Sequence, residues 1–467
     1  MRRLLVLGLV LFALFIQPLA SADESTNSVI YRIQKTYLVS NNGSVAATNV
    51  VVTPLFILGN RSSWASQQVL SEDIWLSDGS YEIIPTGDNR IVQASLGTIT
   101  AGESKTIVVT QVVKVDYVDP GITPDMVQGS IPADELQYTQ HVDNLWESDD
   151  SEIYGKAQEL TDNYSNYYHK AKQIFDFVKD YLTYVGYGEE EHSALWAYRN
   201  REGDCSEHTH LFIALARAAG IPAKHVSGYG YQAQYGTDFE QMGHAWAFVY
   251  LPGVEWVPID TLWGSPEWDF CKLSPDHLVL TTSDGTNLVK EGQIKISGDC
   301  SRPSYKYSRP NPDPNLTVDR TSTIIREVAV TATLDAATQI ENRTWSFYVT
   351  VKNVGAQTIE NIRVEFQADN AYFGVPQAQS VSRLESGHNQ QVSFDVYVKS
   401  SVENSVVQAL LTYDSPYGSF VAKSDRVLAS PTLSESSQGV MDLVKIASFA
   451  AIVGVVIAVA VVLVRRR

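Results

Sequence analysis

The stretch Gly203-Asp204-Cys205-Ser206-Glu207-His208 opens a short segment in which apolar residues recur at helical spacing. Those apolar positions are Leu211, Phe212, Leu215, Ala216 and Ala219. Asp204 and Glu207 have the spacing of a capping box, and a Gly-Ile-Pro sequence at 220–222 is a helix stop. The sequence therefore predicts a helix over 205–219 with Cys205 in its first turn. Free backbone N–H groups and the helix dipole favour a thiolate there, and they can also stabilise an oxyanion.

A histidine and an aspartate follow on two predicted strands. From His244 to Tyr250 large side chains at the even positions alternate with Ala245, Ala247 and Val249, and the segment from Val254 to Asp260 alternates again, with a turn signal at 251–253. If Tyr250 pairs with Val254, His244 lies directly opposite Asp260, whereas a two-residue loop would put them on opposite faces. We therefore expect a loop of odd length or a bulge. A carboxylate beside the imidazole would fix its tautomer and stabilise the imidazolium form.

Each of these three residues has a plain structural interpretation when taken alone. A lone cysteine is most often buried, a histidine at a strand end is usually structural, and an aspartate after a strand usually caps a turn. Their occurrence in this order favours a different interpretation, in which Cys205 is a nucleophile, His244 its base and Asp260 the orienting group.

Five segments together resemble the core of the transglutaminase-like superfamily. They are 203–208, 214–223, Val226-Ser227-Gly228-Tyr229, Gly243-His244-Ala245-Trp246 and Trp256-Val257-Pro258-Ile259-Asp260. The resemblance implies a papain-like α+β fold with a catalytic helix on an antiparallel sheet, and it implies the triad Cys205, His244 and Asp260. The long calcium-binding insertion of some members has no counterpart here. Trp196 is not given the role of their upstream tryptophan, so the second oxyanion donor is unassigned.

The superfamily includes cross-linking transglutaminases, peptidases, amidases and inactive relatives. We expect acyl transfer at amide bonds of a protein or peptide through a thioester, with hydrolysis favoured and cross-linking as the alternative. A rival of another class is a surface adhesion protein without turnover, and a glycan amidase is a third candidate. Three aromatic residues, Trp246, Tyr229 and Tyr231, are predicted to line a polypeptide groove, with core packing as the alternative.

Both ends of the chain carry membrane-related signals. Residues 1–22 have the charged, apolar and small-residue regions of a secretory signal peptide. The uncharged segment 446–464 is long enough for a transmembrane helix, and the arginines at 465–467 predict a cytoplasmic tail. We therefore expect a prokaryotic cell-surface protein with its catalytic domain outside the cell. Five glycosylation-type sequons, at Asn42, Asn60, Asn163, Asn315 and Asn342, fit such exposure.

The composition limits the partners and cofactors. A net charge of −18 argues against nucleic acid as a partner. Cys271 and Cys300 either form a disulfide, which an oxidising exterior favours, or remain unpaired. His208 and His210 point to different sides of the predicted helix, so they form a poor metal pair, and His208 is interpreted as a helix surface residue. We expect neither a metal nor another cofactor.

The pattern of strand and helix signals divides the chain into modules. We predict an N-terminal β-sandwich at 23–125, a catalytic domain at 126–301, a linker rich in Pro, Ser and Asn at 302–320, an immunoglobulin-like β-sandwich at 321–430 and a tether at 431–445.

Overall fold

The structure is a computed structural model. It describes residues 28–61, 67–188, 190–263, 270–285, 294–296, 299–301, 305–308, 315–341, 343–424, 426–432 and 440–445. The predicted signal peptide at 1–22 and the predicted membrane segment at 446–464 lie outside these residues. Within the described residues no helix is both long and apolar enough to cross a bilayer.

Two antiparallel sheets form the N-terminal β-sandwich. Its strands are β1 (Ser28–Asn41), β2 (Ala47–Ile57), β3 (Gln67–Leu76), β4 (Ser80–Thr86), β5 (Asn89–Ile99) and β6 (Ser104–Asp116). One sheet has the order β1-β6-β3 and the other has β2-β5-β4. Alternate side chains of β1 and β6 are buried, which is the pattern of strands with one face on a core. Each sheet gains a fourth strand from a later segment of the chain.

The central domain is the predicted α+β core, with one helix packed on an antiparallel sheet. Its helices are α1 (Ser151–Thr161), α2 (Tyr167–Tyr181), α3 (Ala194–Asn200) and α4 (Cys205–Ala218). Its strands are β7 (Thr183–Tyr184), β8 (Glu202–Gly203), β9 (Ala223–Gly230), β10 (Gly243–Leu251), β11 (Glu255–Ile259) and β12 (His277–Ser283). The main sheet has the order β11-β10-β9-β12. Helix α4 lies between β9 and β10 on one side and the other three helices on the other, so it is buried on all faces.

The segment predicted to be a linker at 302–320 contributes strands to the N-terminal sandwich. After the pair β13 (Ile294–Ile296) and β14 (Asp299–Ser301), β15 (Tyr305–Ser308) pairs with β2. The strand β16 (Leu316–Val328) then pairs along the length of β1. The linker prediction is therefore wrong for these described residues. The Pro, Ser and Asn residues of 302–320 hid the alternation of buried and exposed side chains in β16, which places Leu316 and Val318 in the sandwich core.

A second β-sandwich follows with almost no spacer, since only Ala329 separates β16 from the next strand. Its strands are β17 (Val330–Glu341), β18 (Thr344–Asn353), β19 (Ile359–Ala368), β20 (Gln379–Leu384), β21 (Asn389–Tyr397), β22 (Ser405–Ser415), β23 (Gly418–Lys423), β24 (Val427–Thr432) and β25 (Val440–Lys445). They form a three-stranded and a six-stranded sheet. Because β25 pairs with β24, the described residues 440–445 belong to this sandwich and are not the free tether that we predicted.

A shared hydrophobic core joins the N-terminal sandwich to the central domain. Tyr31 and Ile33 of β1 pack in one cluster with Tyr229 of β9, Leu278 of β12 and Ile324 of β16. The modules are therefore fused by buried apolar surface. Four of the five predicted sequon residues, Asn42, Asn60, Asn163 and Asn315, are exposed, and Asn342 lies outside the described residues.

Replacing Ile324 with Ala should destabilise the protein by about 2–5 kcal/mol, because the side chain is 1% exposed in that joint core. The neighbouring Ile325 is 39% exposed, so Ile325→Ala should cost less than about 1 kcal/mol. Thermal and urea unfolding of both variants measures the difference. Equal destabilisation by the two substitutions would show that β16 does not pack as described.

Candidate active site

The first turn of α4 presents Cys205 at its N-terminus. The Asp204 side chain accepts a hydrogen bond from Ser206 N at 2.7 Å, and Glu207 Oε2 accepts one from Asp204 N at 2.8 Å. This is the predicted capping box, and it satisfies N–H groups that the helix itself cannot. The helix ends where predicted, with Gly220 at a φ of +74°. Cys205 is partly exposed, as a nucleophile must be.

The same two carboxylates fix the loop that crosses the start of α4. Gly188 N donates to Asp204 Oδ2 at 3.1 Å, and His192 N donates to Glu207 Oε1 at 2.7 Å. Burial raises the pKa of Glu207, although the hydrogen bonds from the backbone N–H groups of His192 and Asp204 oppose that effect. Gly203 leaves room for the arrangement, because a Cβ atom there would lie 2.2 Å from the Cβ of Glu207. The Gly-Asp-Cys-Ser-Glu sequence is thus one compact structural unit.

His244 and Asp260 meet in a buried hydrogen bond of 2.8 Å between Nε2 and Oδ2. The loop between β10 and β11 is three residues long, as the odd-length prediction requires, but the predicted register is wrong by two residues. Tyr250 pairs with Trp256 and Leu251 with Glu255, so the last paired residue, Ile259, lies opposite Ala247. Asp260 therefore reaches His244 diagonally across one face rather than from the directly opposite position.

Asp260 accepts four hydrogen bonds. Oδ1 receives the backbone N–H groups of Leu262 at 2.8 Å and Trp263 at 3.0 Å. Oδ2 receives His244 Nε2 and also His277 Nε2, the latter at 2.9 Å. Burial opposes ionisation of this carboxyl, but attraction to His244 and the hydrogen bonds from both histidines outweigh it and hold its pKa well below the usual range. Asp260 is therefore a carboxylate at neutral and mildly acidic pH.

The imidazole of His244 is held from a second direction by Trp263. The two rings stack with their centroids 4.3 Å apart and an interplanar angle of 20°. Gly230 on β9 makes this possible, because a Cβ atom there would lie 2.2 Å from the Trp263 ring. With Nε2 bound to Asp260, the other ring nitrogen, Nδ1, is the atom available for proton exchange with a thiol.

His208 is buried, and our prediction of a helix surface position for it is wrong. The side chain is 2% exposed because α4 has no solvent face. Its Nδ1 lies 2.8 Å from the carbonyl oxygen of Asp204. Burial lowers the pKa of His208, partly offset by that hydrogen bond and by attraction to Asp260. His208 is thus a neutral group behind the site at pH 7. His210 lies on the same helix and is fully buried.

The aromatic residues predicted to line a substrate groove belong to the core. Trp246 is 0% exposed and Tyr229 is 2% exposed. Tyr231 is partly buried against Tyr31, beneath Arg326. The groove prediction is therefore wrong for Trp246 and Tyr229, which lie on opposite faces of the sheet and are buried on both. Trp246 packs with Val226 and Val279, and Tyr229 packs in the core shared with the N-terminal sandwich.

Other aromatic residues lie on the exposed side of Cys205. Tyr184 and Tyr187 are 51% and 78% exposed and belong to the segment that runs beside Gly203 and Asp204. Partial burial and then the charges of Cys205 and Asp204 raise the pKa of Tyr184, and Tyr235 adds to this effect. The sequence analysis missed these residues. The signal that could have indicated them is the Tyr-Val-Gly-Tyr sequence at 184–187, which is apolar but lies outside any long strand or helix.

Two remaining predictions concern Cys271 and metals. Cys271 is a free, buried thiol, which is the unpaired state of the two alternatives that the sequence left open, and burial raises the pKa of the Cys271 thiol. Within the described residues, His244, Asp260 and His277 form the one group of potential metal ligands, with ligand atoms within 4.8 Å of one another. The hydrogen bonds from both histidines to Asp260 account for their arrangement.

Comparisons with known proteins agree with this architecture. A family model described as the transglutaminase-like superfamily matches residues 155–261, and a model described as CARDB matches residues 314–415. An uncharacterised Bacillus subtilis protein, YebA, is 24% identical over 145 residues, covering 27% of this chain and 20% of the relative. The mouse Kyphoscoliosis peptidase is 37% identical over 70 residues, covering 14% of this chain and 10% of the relative. The aligned regions thus span a fifth or less of these curated relatives.

Two solved structures are also similar to parts of this chain. A candidate cysteine protease from Cytophaga hutchinsonii has 18% identity and a TM-score of 0.40, covering 64% of this chain and 92% of that protein. Red sea bream transglutaminase has 9% identity and a TM-score of 0.24, covering 83% of this chain and 79% of that protein. Residues 155–261, which include the cysteine-bearing helix, therefore match the transglutaminase-like superfamily, and residues 314–415 match a CARDB module.

Replacing Gly230 with Ala should displace Trp263 from His244, because the new methyl group would overlap the indole ring. A small displacement of a positioned group can cost about 10²-fold in rate, so we expect Cys205 to react with iodoacetamide about ten- to a hundredfold more slowly near pH 5.5. Gly243→Ala is the matched control, since nothing lies within 4 Å of its Cβ position. Equal rates for the two variants would contradict this role of Trp263.

Proposed function

We propose that this protein is a cysteine acyl-transfer enzyme that acts on amide bonds of proteins or peptides. Cys205 is the nucleophile, His244 the proton-transfer group and Asp260 the residue that orients His244. One observation carries the proposal: a buried His244–Asp260 pair, 2.8 Å between Nε2 and Oδ2, lies on the sheet against which the Cys205 helix packs. A nucleophile, a base and an orienting carboxylate are the three parts that such chemistry requires.

The local charges favour a thiolate in this arrangement. The N-terminus of α4 carries positive potential, which stabilises the anion of a cysteine in the first turn. The ionised Asp260 stabilises the imidazolium form of His244. A proton that leaves the Cys205 thiol therefore has a favourable place at Nδ1 of His244. The proposed resting state is therefore a thiolate–imidazolium pair.

The reaction proceeds in two halves. In the first, the Cys205 thiolate attacks the amide carbonyl carbon, a C–S bond forms, and the developing oxyanion is stabilised by the backbone N–H of Cys205 at the start of α4. His244 then gives its Nδ1 proton to the departing amine as the C–N bond breaks. In the second half, water or another amine loses a proton to His244 and attacks the thioester. The C–S bond breaks and the Cys205 thiolate is restored.

We propose hydrolysis as the main fate of the thioester. A curated relative with 37% identity over 70 residues carries the name peptidase, which supports water as the acceptor. The exposed aromatic side chains of Tyr184 and Tyr187 offer apolar contacts for a polypeptide beside Cys205. Transfer to an amine, which would cross-link proteins, uses the same first half and differs only in the acceptor.

We also propose that the enzyme is anchored in the cell membrane with its catalytic domain outside. The signal-like composition of 1–22 and the apolar segment at 446–464 support this location. Protease added to intact cells should degrade the ectodomain, whereas protection until lysis would contradict the proposed topology.

Cys205 should be alkylated by iodoacetamide at similar rates near pH 5.5 and pH 7.5, because the proposed ion pair with His244 keeps Cys205 in its thiolate form at both pH values. Mass spectrometry of each cysteine-containing peptide measures both rates. His244→Ala removes the imidazolium and should slow the labelling near pH 5.5 by at least about tenfold.

Cys271 is an internal control in the same experiment. Its burial raises its thiol pKa, so it should remain unlabelled while the protein is folded. If Cys205 labels like an ordinary thiol, with a rate that rises steeply with pH, the acyl-transfer proposal is wrong and a binding function takes its place.

Incubation with an unstructured protein substrate distinguishes the two fates of the thioester. With no added amine we expect new peptide termini in the wild-type reaction and none with Cys205→Ala. An added alkyl amine that is incorporated into substrate glutamine, without new termini, would replace hydrolysis with transfer as the principal activity.

A further inference from the structure

His277 shares the Asp260 carboxylate with His244, although no part of the proposed mechanism uses it. Its Nε2 lies 2.9 Å from the same Oδ2 atom that His244 contacts at 2.8 Å. Because an ionised carboxylate only accepts hydrogen bonds, Nε2 of His277 carries the proton. The backbone N–H groups of Leu262 and Trp263 occupy the other oxygen, so His277 completes the set of donors that fixes the carboxylate.

The imidazole of His277 is itself held in one orientation. Its Nδ1 lies 3.1 Å from Ser274 Oγ, a hydroxyl that can donate to it when the ring is neutral. The ring is 4% exposed and lies between two indoles, with centroids 5.1 Å from Trp246 and 5.1 Å from Trp263. The ring therefore cannot turn away without leaving Asp260 with an unfilled acceptor position, which is costly in a buried site.

The strand that begins with His277 is anchored by the N-terminal sandwich. β12 is the edge strand of the catalytic sheet, and two amide side chains of the sandwich occupy its outer edge. Gln67 exchanges two hydrogen bonds with the backbone of Val279, at 2.9 and 3.0 Å. Asn89 does the same with Thr282, at 2.8 and 2.9 Å. These bonds replace the neighbouring strand that an edge otherwise lacks.

A third contact holds the residue next to His277. The Asp276 carboxylate accepts a hydrogen bond from Tyr31 of β1 at 2.9 Å and forms an ion pair with Arg326 of β16. Tyr31 is fully buried and Arg326 is 9% exposed. Both strands belong to the N-terminal sandwich, so its side chains determine the position of the turn that leads into His277.

We propose that His277 is a positioning residue of the acyl-transfer site, and that the N-terminal sandwich holds it in place through Gln67, Asn89 and the Asp276 contacts. This inference rests on the proposed function, because the carboxylate that His277 positions is the one that orients His244. The sandwich is in this sense a part of the catalytic unit, since it determines where the donor to Asp260 lies.

Several titratable groups face this carboxylate and bear on any pH dependence. They are His244 on β10, His277 on β12, and His208 on α4, which is attracted to Asp260 and lies near Lys179 of α2 and Asp204. Lys179 also donates to the carbonyl oxygen of Leu262 at 3.2 Å. A test must therefore separate His277 from its charged neighbours, which a neutral hydrogen-bond donor in its place achieves.

The test compares His277→Leu with His277→Gln by iodoacetamide labelling of Cys205 near pH 5.5 and near pH 9. Without the donor, His244 is poorly oriented, and labelling near pH 5.5 should slow about tenfold, as expected for one lost charge-assisted hydrogen bond. Near pH 9, where the thiol ionises unaided, the loss should be under about threefold. Gln keeps an N–H donor and should restore the rate near pH 5.5 to within about threefold of wild type.

Another buried histidine provides the control for a merely structural effect. His225 is 2% exposed on β9 and stacks on Trp146 instead of contacting Asp260. His225→Leu should lower the melting temperature without changing the ratio of labelling rates at the two pH values. If His277→Leu changes only the melting temperature in the same way, the positioning role is refuted.

The role of the sandwich has its own matched pair. Gln67→Leu removes both bonds to Val279, whereas Gln68→Leu changes an exposed neighbour on the same strand. We expect Gln67→Leu to slow labelling near pH 5.5 about threefold and Gln68→Leu to match wild type. An unchanged rate ratio in Gln67→Leu would show that the sandwich does not act on the site.

A measurement that needs no reactive cysteine keeps this inference separate from the proposed function. In the Cys205→Ala protein, histidine NMR follows the Nε2–H signal of His244 and its titration. The signal should shift in His277→Leu and return with His277→Gln. If it does not change, the positioning role fails whatever the chemistry of Cys205. If it changes while wild-type Cys205 labels like a free thiol, the positioning role stands and the acyl-transfer proposal fails.

Discussion

The buried carboxylate of Asp260 is the interaction on which the site depends. A charge removed from water is tolerated only when donors replace its hydration, and here two backbone N–H groups and two imidazoles do so. These four donors come from β10, β12 and the residues that follow β11, so the carboxylate ties together three strands of one sheet. Loss of any one donor would leave the buried carboxylate with an unfilled acceptor position, which is costly in a site without water.

The cost of unsatisfied polar groups also explains why the N-terminal sandwich packs directly against the central domain. The edge of β12 would be an open row of backbone groups, and the sandwich covers it with Gln67 and Asn89. Apolar side chains from both modules then pack into a common core around Tyr31 and Leu278. The N-terminal sandwich thus buries a part of the transglutaminase-like core that includes Tyr229 and Leu278.

Local signals in the sequence predicted the parts of the site that depend on neighbours along the chain. The capping box and the Gly220 stop predicted α4 because a helix end is set by residues within one turn. Alternation predicted that His244 and Asp260 share a face. It could not fix the register, because the loop takes Pro252, Gly253 and Val254 and lets Glu255 begin the strand at a φ of +77°.

Contacts between distant segments were beyond the reach of such signals. His277 is separated from Asp260 by a segment that follows no strand pattern, and only the β9–β12 pairing brings the two together. The burial of Tyr229 likewise depends on the N-terminal sandwich that covers its face of the sheet, and the burial of Trp246 depends on Val118 and Leu273 on the opposite face. The Pro-rich segment before β16 hid its strand pattern. Its partner β1, at Ser28–Asn41, is far from it in the sequence, so no local pattern could predict that the two strands pair.

The continuous run from β16 into β17, with Ala329 alone between them, has a mechanical consequence. Because β16 lies antiparallel along the whole of β1, a pull on the CARDB module parallel to these strands would load their ladder of hydrogen bonds together, in shear, rather than one after another. Tension that arrives from the C-terminal side enters β16 beside Arg326, which forms an ion pair with Asp276 in the turn before His277. The strand that carries this load therefore also contacts the turn that leads into His277.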